Sequence, residues 1–269
     1  MAETPTLEAL RDFGENYAAQ REAEGRRLSL EELRALPHLR AGPQAWAWSI
    51  KARTFDAFTR RVVHPMRAAL GRSLTVLDLG AGNCWLSYRL ALGGDHCTAV
   101  DIRDDDVDGL GAGQALAEEA GFERKQATFD DLPLKDNSVD ICAFNAALHY
   151  STDLAATLAE AARCVRSGGV IAILDSPFYQ REEDGAAMVA EKHLSAPQYF
   201  GERAEALMAV PSIEFLTRER LGKASEKLGL NWKRHRVRYP FSYEKRLWKA
   251  VLGGKRRPSR FDLWVATKP

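Results

Sequence analysis

Short apolar runs alternate with helix-like segments from Leu74 to Asp175. Runs of this length and composition are typical of buried strands, and the segments between them show helical spacing and glycine stops. Parallel strands joined by helical crossovers satisfy such an alternation. We therefore predict an α/β fold, a doubly wound and mostly parallel seven-stranded sheet with helices on both faces, whose strands lie in LTVLDLG, HCTAVDI, KQATF, VDICAFNAAL, GVIAILDS, WKRHRVRY and FDLWVATK.

The segments that flank this alternation predict two helical additions. Residues up to about Leu36 and the stretch from Trp46 to Leu70 have helical character. We expect an N-terminal helical extension over residues 1–70 and an α/β domain over residues 71–269. Residues 177–216 do not continue the alternation and look like helical pieces separated by prolines and glycines. Long insertions of this kind often cover active sites, so we expect a helical lid insert there.

The composition narrows the class of protein. With 269 residues, 45% hydrophobic and 28% charged, the chain is typical of a globular protein. The polar N-terminus predicts no secretory signal, and the absence of a long apolar run predicts no membrane span. The four cysteines form no C-x-x-C pair, which favours reduced thiols and a cytoplasmic location. A formal net charge of +1 does not indicate any particular kind of partner, and the sequence leaves the oligomeric state open.

The first apolar run ends in a glycine-rich turn, Asp78-Leu79-Gly80-Ala81-Gly82-Asn83-Cys84. Gly80 and Gly82 would let backbone N–H groups approach a ligand without Cβ clashes. The second run ends at Asp101, nineteen positions after Gly82. A carboxylate there lies beside the loop and can accept both ribose hydroxyls of an adenosine.

The details of this loop select among adenosine ligands. A dinucleotide fingerprint needs a third glycine where Trp85 stands, and the Gly-Lys-Ser/Thr of a P-loop is absent. The pattern acid-x-Gly-x-Gly-x-Gly is matched through Asp78, with Cys84 in place of the third glycine. An acid at position 78 suits a ligand with cationic ammonium and sulfonium groups and would repel a pyrophosphate.

Four segments, VLDLGAGNCWLSYRLA, AVDI, FDDLPLKDNSVDICAFNAALHY and RCVRSGGVIAILDS, resemble in the same order the motifs of class I, Rossmann-like methyltransferases. The resemblance covers roughly Leu74 to Asp175 and implies S-adenosyl-L-methionine as cofactor. It implies that Asp78 and the loop backbone hold the methionine half, that Asp101 holds the ribose and that Ile102 packs on the adenine. The remaining candidates are Phe129 and Asp130 at the adenine edge, Asn145 and Ala146 beside the donor methyl, and the loop residues Ala81, Asn83 and Cys84.

Three residues outside these motifs are further candidates. Arg53 lies on the Trp46–Leu70 segment and either binds the donor carboxylate or is a surface charge. His149 and Tyr150 follow the fourth strand, where such a fold presents residues to the donor methyl. The ordinary pKa of histidine, about 6.5, suits removal of a proton from a hydroxyl acceptor, so His149 is a candidate base. The alternative is that both are ordinary rim residues. We expect no metal site, because the acids from Asp104 to Asp108 are typical of a helix start.

The acceptor is less constrained than the donor. We expect a methyltransferase that acts by direct displacement on a small molecule enclosed by the N-terminal helix and the lid insert. Alternatives are an RNA or carrier-bound substrate held by the basic stretch from Lys233 to Arg260, and a catalytically silent S-adenosylmethionine-binding protein. Asn145-Ala146-Ala147-Leu148 replaces the Pro-Pro motif of amino-group methyltransferases for DNA bases, which disfavours nucleic acid as partner. FSYEKRLWKAVLGG has amphipathic helical spacing and either packs on the sheet or holds an anionic partner.

Overall fold

A computed structural model describes residues 7–269 of the chain. Its strands are β1 (Thr75–Leu79), β2 (His96–Asp101), β3 (Glu123–Gln126), β4 (Val139–Asn145), β5 (Val165–Leu174), β6 (Phe178–Tyr179), β7 (Leu216–Thr217), β8 (Lys233–His235) and β9 (Leu263–Thr267). Seven of them form one sheet in the order β3-β2-β1-β4-β5-β9-β8, and the short strands β6 and β7 pair separately.

The sheet is parallel from β3 through β5, and β9 and β8 join it antiparallel. Strand β1 is internal, because β2 pairs with it on one side and β4 on the other. The strand order therefore reverses at β1, and the carboxyl ends of β1 and β4 flank a switch point where ligands bind in doubly wound sheets. The predicted seven-stranded, mostly parallel sheet is confirmed.

Helices cover both faces of this sheet. They are α1 (Leu7–Ala23), α2 (Leu30–Ala35), α3 (Ala45–Phe58), α4 (His64–Leu70), α5 (Trp85–Leu92), α6 (Gln114–Ala120), α7 (Leu154–Cys164), α8 (Glu182–Phe200), α9 (Ala204–Ala209), α10 (Arg218–Ser225) and α11 (Phe241–Leu252). Successive side chains of β1 point to opposite faces of the sheet, so they pack in two different core clusters. Val76 packs in one buried cluster with Phe58 of α3, and Leu77 packs in the other with Leu158 of α7.

The N-terminal segments are more broken than the helical pattern predicts. The first helical stretch is two helices, because Gly25 adopts a left-handed conformation with φ of 67° and Ser29 and Glu32 form a capping box that starts α2. Between α3 and α4 the chain makes a π-helical turn over Thr59–Val63. Helix α3 shares a core cluster with the sheet, and the division at residue 70 stays a prediction.

The insert over residues 177–216 is more continuous than predicted. Helix α8 runs for 19 residues through Gly185 and Pro197. Pro197 lies in the last turn, where its missing N–H removes few helical bonds. Gly185 permits close packing, since a Cβ there would lie 2.1 Å from the ring of Phe215. Strands β6 and β7 pair at the two ends of the insert and close it into a compact unit.

No helix in the described range is both long enough and apolar enough to cross a bilayer.

Candidate functional site

A cavity of about 360 Å³ opens at the carboxyl edge of the sheet, over the switch point between β1 and β4. Its floor consists of the glycine loop after β1 and the residues that follow β2 and β4. Its walls come from α1, α3, α8 and the segment before β7. Of the candidate site residues, those that line the cavity are Gly80, Ala81, Gly82, Asn83, Asp101, Ile102, Phe129, Asp130, Asn145, Ala146 and Tyr150.

The glycine loop brings its backbone to the cavity surface. Gly80 has φ of +71°, and a Cβ there would lie 2.3 Å from the Cβ of Ala147. Gly82 has φ of +51°, and its Cβ would lie 3.1 Å from the carbonyl oxygen of Asp108. Any larger residue would strain the backbone and clash. The Gly80 N–H also donates to the carbonyl oxygen of Val100 at 2.8 Å, which ties the loop to β2.

The carboxylate of Asp101 is fixed against this loop. One oxygen accepts from the Gly82 N–H at 2.8 Å, and the other accepts from the Arg103 N–H at 2.9 Å. Burial raises the pKa of Asp101, and the charge of Arg103 opposes that rise. Each oxygen still has a lone pair for a further donor. The side chain therefore has the acceptor geometry that a pair of ribose hydroxyls requires.

Asp78 lies behind the loop rather than on the cavity surface. It is fully buried, and one of its oxygens accepts from the backbone N–H of Ser87 at 3.2 Å and from its hydroxyl at 2.9 Å. The other oxygen, Oδ1, has no hydrogen-bond partner among the described residues. Burial raises the pKa of Asp78 to about 7. A cationic ligand near the loop would stabilise this carboxylate, so the site fits the ammonium-bearing half of S-adenosylmethionine.

Cys84 is also buried and does not line the cavity. It stands at φ of +62°, the left-handed conformation that a glycine would adopt most easily. Gly113 makes room for it, since a Cβ at that position would lie 2.7 Å from the Cβ of Cys84. Burial raises the pKa of the thiol well above its ordinary value. Cys84 therefore supports the loop from behind as a neutral thiol.

The residues after β4 and β2 complete the floor. Ala146 has φ of +55°, and its N–H donates to the carbonyl oxygen of Leu174 at 2.8 Å. Asn145 beside it has a buried amide oxygen without a partner in the described structure. On the other side of the floor, Asp130 accepts from the hydroxyl of Thr157 at 2.7 Å. These contacts fix the backbone and side chains where the resemblance predicts the donor methyl and the adenine.

Helix α1 covers the cavity through residues that the sequence patterns did not single out. The hydroxyl of Tyr17 lies 3.0 Å from that of Tyr150. The ring of Tyr17 lies between the guanidinium groups of Arg21 and Arg103, each 4.5 Å from its centroid. Arg21 also donates a hydrogen bond to the Tyr17 hydroxyl. The helix is thus joined to both edges of the floor, one after β2 and one after β4.

Arg53 is placed differently from the donor-carboxylate prediction. It is exposed and does not line the cavity, and its guanidinium donates to the carbonyl oxygen of Arg238 at 3.2 Å. Two residues along a helix point about 200° apart. Lys51 therefore faces the cavity instead, with its ammonium 4.3 Å from the ring centroid of Trp48. Burial lowers the pKa of Lys51, and no described carboxylate lies within salt-bridge distance of it.

The insert contributes one wall of the same cavity. Lys192 of α8 donates to both carboxylate oxygens of Glu214, at 2.9 and 2.8 Å. The N–H of Glu214 donates to the carbonyl oxygen of His149 at 3.0 Å. The N–H of Ile213 donates to the carbonyl oxygen of Ser151 at 2.9 Å. The insert is therefore attached to the segment after β4, on the side of the sheet edge that carries the glycine loop.

His149 lies beside the cavity rather than on its surface. Its ring packs on that of Tyr150, with 4.3 Å between centroids. Its Nδ1 is buried and has no hydrogen-bond partner among the residues described. Burial, together with the positive charges of Lys192, Arg21 and Lys51, lowers the pKa of His149 to about 3. The imidazole is neutral at physiological pH but weakly basic, which disfavours the predicted base.

No cluster of three or more potential metal-ligating side chains occurs among the described residues. A glycine loop and a strand-end acid at the switch point of a doubly wound sheet are typical of adenosine-binding α/β proteins.

Comparisons with known proteins agree with this class. Residues 77–173 match the family model described as a methyltransferase domain. Relatives named malonyl-[acyl-carrier protein] O-methyltransferase include one from Yersinia pestis, 32% identical over 144 residues, or 51% of this chain and 52% of that protein. One from Erwinia billingiae is 32% identical over 36% of each chain. The chain thus spans about half or less of the length of these curated relatives.

Solved structures show the same fold. A SAM-dependent methyltransferase from Thermotoga maritima has a TM-score of 0.55 at 15% identity, covering 94% of this chain and 99% of that one. Another from Aquifex aeolicus has a TM-score of 0.50 at 15% identity, covering 90% and 98%. Residues 77–173 therefore resemble a methyltransferase domain, and the fold is that of SAM-dependent methyltransferases of known structure.

Proposed function

We propose that this protein transfers the methyl group of S-adenosylmethionine to a carboxylate of a small organic acid. The observation that carries this proposal is the charge of the acceptor side. Three cations that line the cavity, Arg21, Lys51 and Lys192, lie close enough to His149 to depress its pKa. The same cations would attract an anionic acceptor.

The donor side of the proposal uses the residues around the glycine loop. Asp101 would accept the ribose hydroxyls, Ile102 and Phe129 would pack against the adenine, and Asp78 would stabilise the ammonium through the loop. When bound, S-adenosylmethionine supplies a methyl group on a sulfonium, which a nucleophile displaces directly. The protein then has to align the acceptor with that methyl group and exclude water. Helix α1 and the insert cover the cavity as such exclusion requires.

A carboxylate acceptor explains why the site needs no strong base. A hydroxyl or ammonium acceptor has to lose a proton, and His149 at a pKa of about 3 would hold that proton poorly. A carboxylate is already ionised at neutral pH. Lys51 is the best placed cation to hold it, since it faces the cavity without a described ion pair, whereas Lys192 is paired with Glu214. Binding an anion would offset the desolvation of Lys51.

The relatives favour a variant of this proposal in which the acid is attached to a carrier. Their names specify O-methylation of a malonyl group on acyl-carrier protein. A free acid of similar size and a carrier-bound one present the same carboxylate to the cavity. The carrier-bound form is therefore the second candidate, and the silent S-adenosylmethionine-binding protein is the alternative without catalysis.

The test is a transfer assay with labelled S-adenosylmethionine and acceptors of different chemistry. The malonyl thioester of N-acetylcysteamine carries a free carboxylate, while a phenol and a primary amine are the comparison substrates. We expect a base-labile methyl ester from the thioester alone. Lys51→Met should lower kcat/KM for it about 10- to 150-fold, because the loss of one hydrogen bond to a charged group costs about 1.5–3 kcal/mol.

Arg53→Met is the matched control, because it removes the same charge from the same helix outside the cavity. Binding of S-adenosylhomocysteine should be unchanged in both variants. Weakened binding in Lys51→Met would assign Lys51 to the donor carboxylate instead. Methylation of the phenol or amine in place of the thioester would overturn the carboxylate proposal, and binding without any transfer would favour the silent binder.

A further inference from the structure

Helix α11 exposes a stripe of large apolar side chains to solvent. Phe241, Trp248 and Leu252 are 79%, 69% and 84% exposed. They are seven and four positions apart, so they share one face of the helix. On the opposite face Tyr243 is buried and its hydroxyl donates to the carbonyl oxygen of Ser259 at 3.3 Å. The helix is thus anchored on the protein with its apolar stripe outward, as expected of an interaction surface.

Positive charge lies along one side of this stripe. At about 100° per residue, Lys245 and Lys249 fall about 40° and 80° to one side of Phe241, while Glu244 falls about 60° to the other. Lys245 and Lys249 are exposed and have no ion pair within the described part of the chain. Glu244 is paired with Arg260 at 3.1 Å. The available charge beside the stripe is therefore cationic and one-sided.

The arginines that follow α11 are committed to other contacts. Arg256 forms an ion pair with Glu191 of α8 at 2.7 Å. Arg257 donates from its guanidinium to the side-chain oxygen of Gln180 at 3.2 Å. These two residues belonged to the basic cluster expected to hold an anionic partner. The structure shifts that expectation to the lysines of α11.

The segments on either side of α11 contact helices that line the cavity. The loop after α11 contacts α8 through Arg256 and Glu191, and the next residue of α8, Lys192, lines the cavity. The segment before α11 contacts α3 through the carbonyl oxygen of Arg238 and Arg53, and α3 carries Lys51. The segments that flank α11 therefore contact α8 and α3, the two helices that supply Lys192 and Lys51.

We propose that the stripe of Phe241, Trp248 and Leu252, with Lys245 and Lys249, docks a carrier protein with an acidic face whose attached acid is the methyl acceptor. This inference rests on the proposed function. A protein partner fits better than a bilayer, because a helix lying on anionic lipid gains from cations on both sides of its apolar face. A protein whose acidic residues lie to one side of an apolar centre complements the one-sided charge observed here.

Docking of this kind affects binding of the carrier-bound acceptor and not the methyl-transfer step. Trp248 is the expected anchor, since exposed tryptophans in such patches contribute most to interface energy. None of the stripe residues lines the cavity, so their loss should raise KM for a carrier-bound acceptor and leave kcat unchanged. The lysines should contribute mainly to the association rate at low salt.

The experiment compares malonyl-loaded acyl-carrier protein with the malonyl thioester of N-acetylcysteamine. The first variant is Trp248→Ser with Leu252→Ser, and its control is Leu92→Ser, an exposed leucine on α5. The second is Lys245→Gln with Lys249→Gln, and its control is Lys223→Gln with Lys227→Gln on and after α10. We expect a tenfold or larger rise in KM for the loaded carrier protein in the first variant, a smaller and salt-dependent rise in the second, and unchanged kinetics with the thioester.

Binding of unloaded acyl-carrier protein, measured by calorimetry, provides a readout that does not depend on turnover. Affinity that falls in both α11 variants and not in the controls supports docking, even if neither substrate is methylated. In that case the carboxylate proposal fails and the docking proposal stands. Equal affinity in wild type and both variants overturns the docking proposal. Sedimentation with vesicles of 70% phosphatidylcholine and 30% phosphatidylglycerol that depends on Trp248 would also overturn it, in favour of a lipid surface.

Discussion

Substitution of Asp101 by asparagine tests the donor site most directly. The carboxylate of Asp101 accepts one backbone N–H on each oxygen, at 2.8 and 2.9 Å. Asparagine has the same shape but only one acceptor oxygen, so its amide nitrogen would face one of these donors. The ribose hydroxyls would also lose a charged acceptor. Since a hydrogen bond to a charged group contributes about 1.5–3 kcal/mol, we expect affinity for S-adenosylhomocysteine to fall about 10- to 150-fold.

The stability of the free protein should change much less. One backbone N–H loses its partner, at a cost of about 1–3 kcal/mol. Burial already disfavours the charge of Asp101 and raises its pKa, so removal of that charge offsets part of the cost. Calorimetry would give the affinity and thermal unfolding the stability. Asp104→Asn, at an exposed acid in the loop after β2, is the control. Wild-type affinity in Asp101→Asn would refute the assignment of the ribose to this carboxylate.

Two further predictions concern the donor side. Burial raises the pKa of Asp78 to about 7, so between about pH 4 and 7 the native state holds a proton that the unfolded state has lost. The contribution of Asp78 to the free energy of unfolding therefore falls as pH rises through this range. A cationic donor favours the ionised form of Asp78, so binding of S-adenosylmethionine near pH 6 should release protons and should become tighter toward pH 7. Calorimetry in two buffers of different ionisation enthalpy would measure the proton release, and proton uptake would contradict the prediction. Tyr17→Ala should speed dissociation of S-adenosylhomocysteine about tenfold, since it removes the contact between α1 and Tyr150. Stopped-flow measurement of the dissociation rate, with Glu15→Ala as control, would detect the change. An unchanged rate would mean that α1 does not retain the ligand.

The sheet and its glycine loop could be predicted from the sequence because local patterns specify them. Alternating apolar runs give the strands, and the positive φ of Gly80 and Gly82 is signalled by the residues themselves. The strand-end position of Asp101 follows from the end of its run. The same reasoning predicted β3 in KQATF, whereas the strand covers Glu123–Gln126. This edge strand is polar and half-exposed, so its limits carry no hydrophobic signal.

The walls of the cavity could not be predicted in the same way. Tyr17, Arg21 and Lys192 meet the floor only through packing between segments distant in sequence. The prediction that Arg53 binds the donor carboxylate rested on a correct helix whose rotation the sequence left undetermined. The contact of Trp48 with Trp85, with 5.6 Å between ring centroids, fixes that rotation. A base role for His149 followed from the ordinary pKa of histidine, and only the surrounding cations and burial show how far that value moves.

The cavity combines parts from inside and outside the range that matches the family model. Its floor lies within residues 77–173, the range that matches the family model. The cations of the acceptor side, Arg21, Lys51 and Lys192, lie outside that range, in segments before and after it. Mutations in those segments can therefore change which acceptor is admitted while the donor loop is preserved. Selection for a new acceptor in this lineage would act on α1, α3 and α8 and leave β1, β2 and β4 nearly constant.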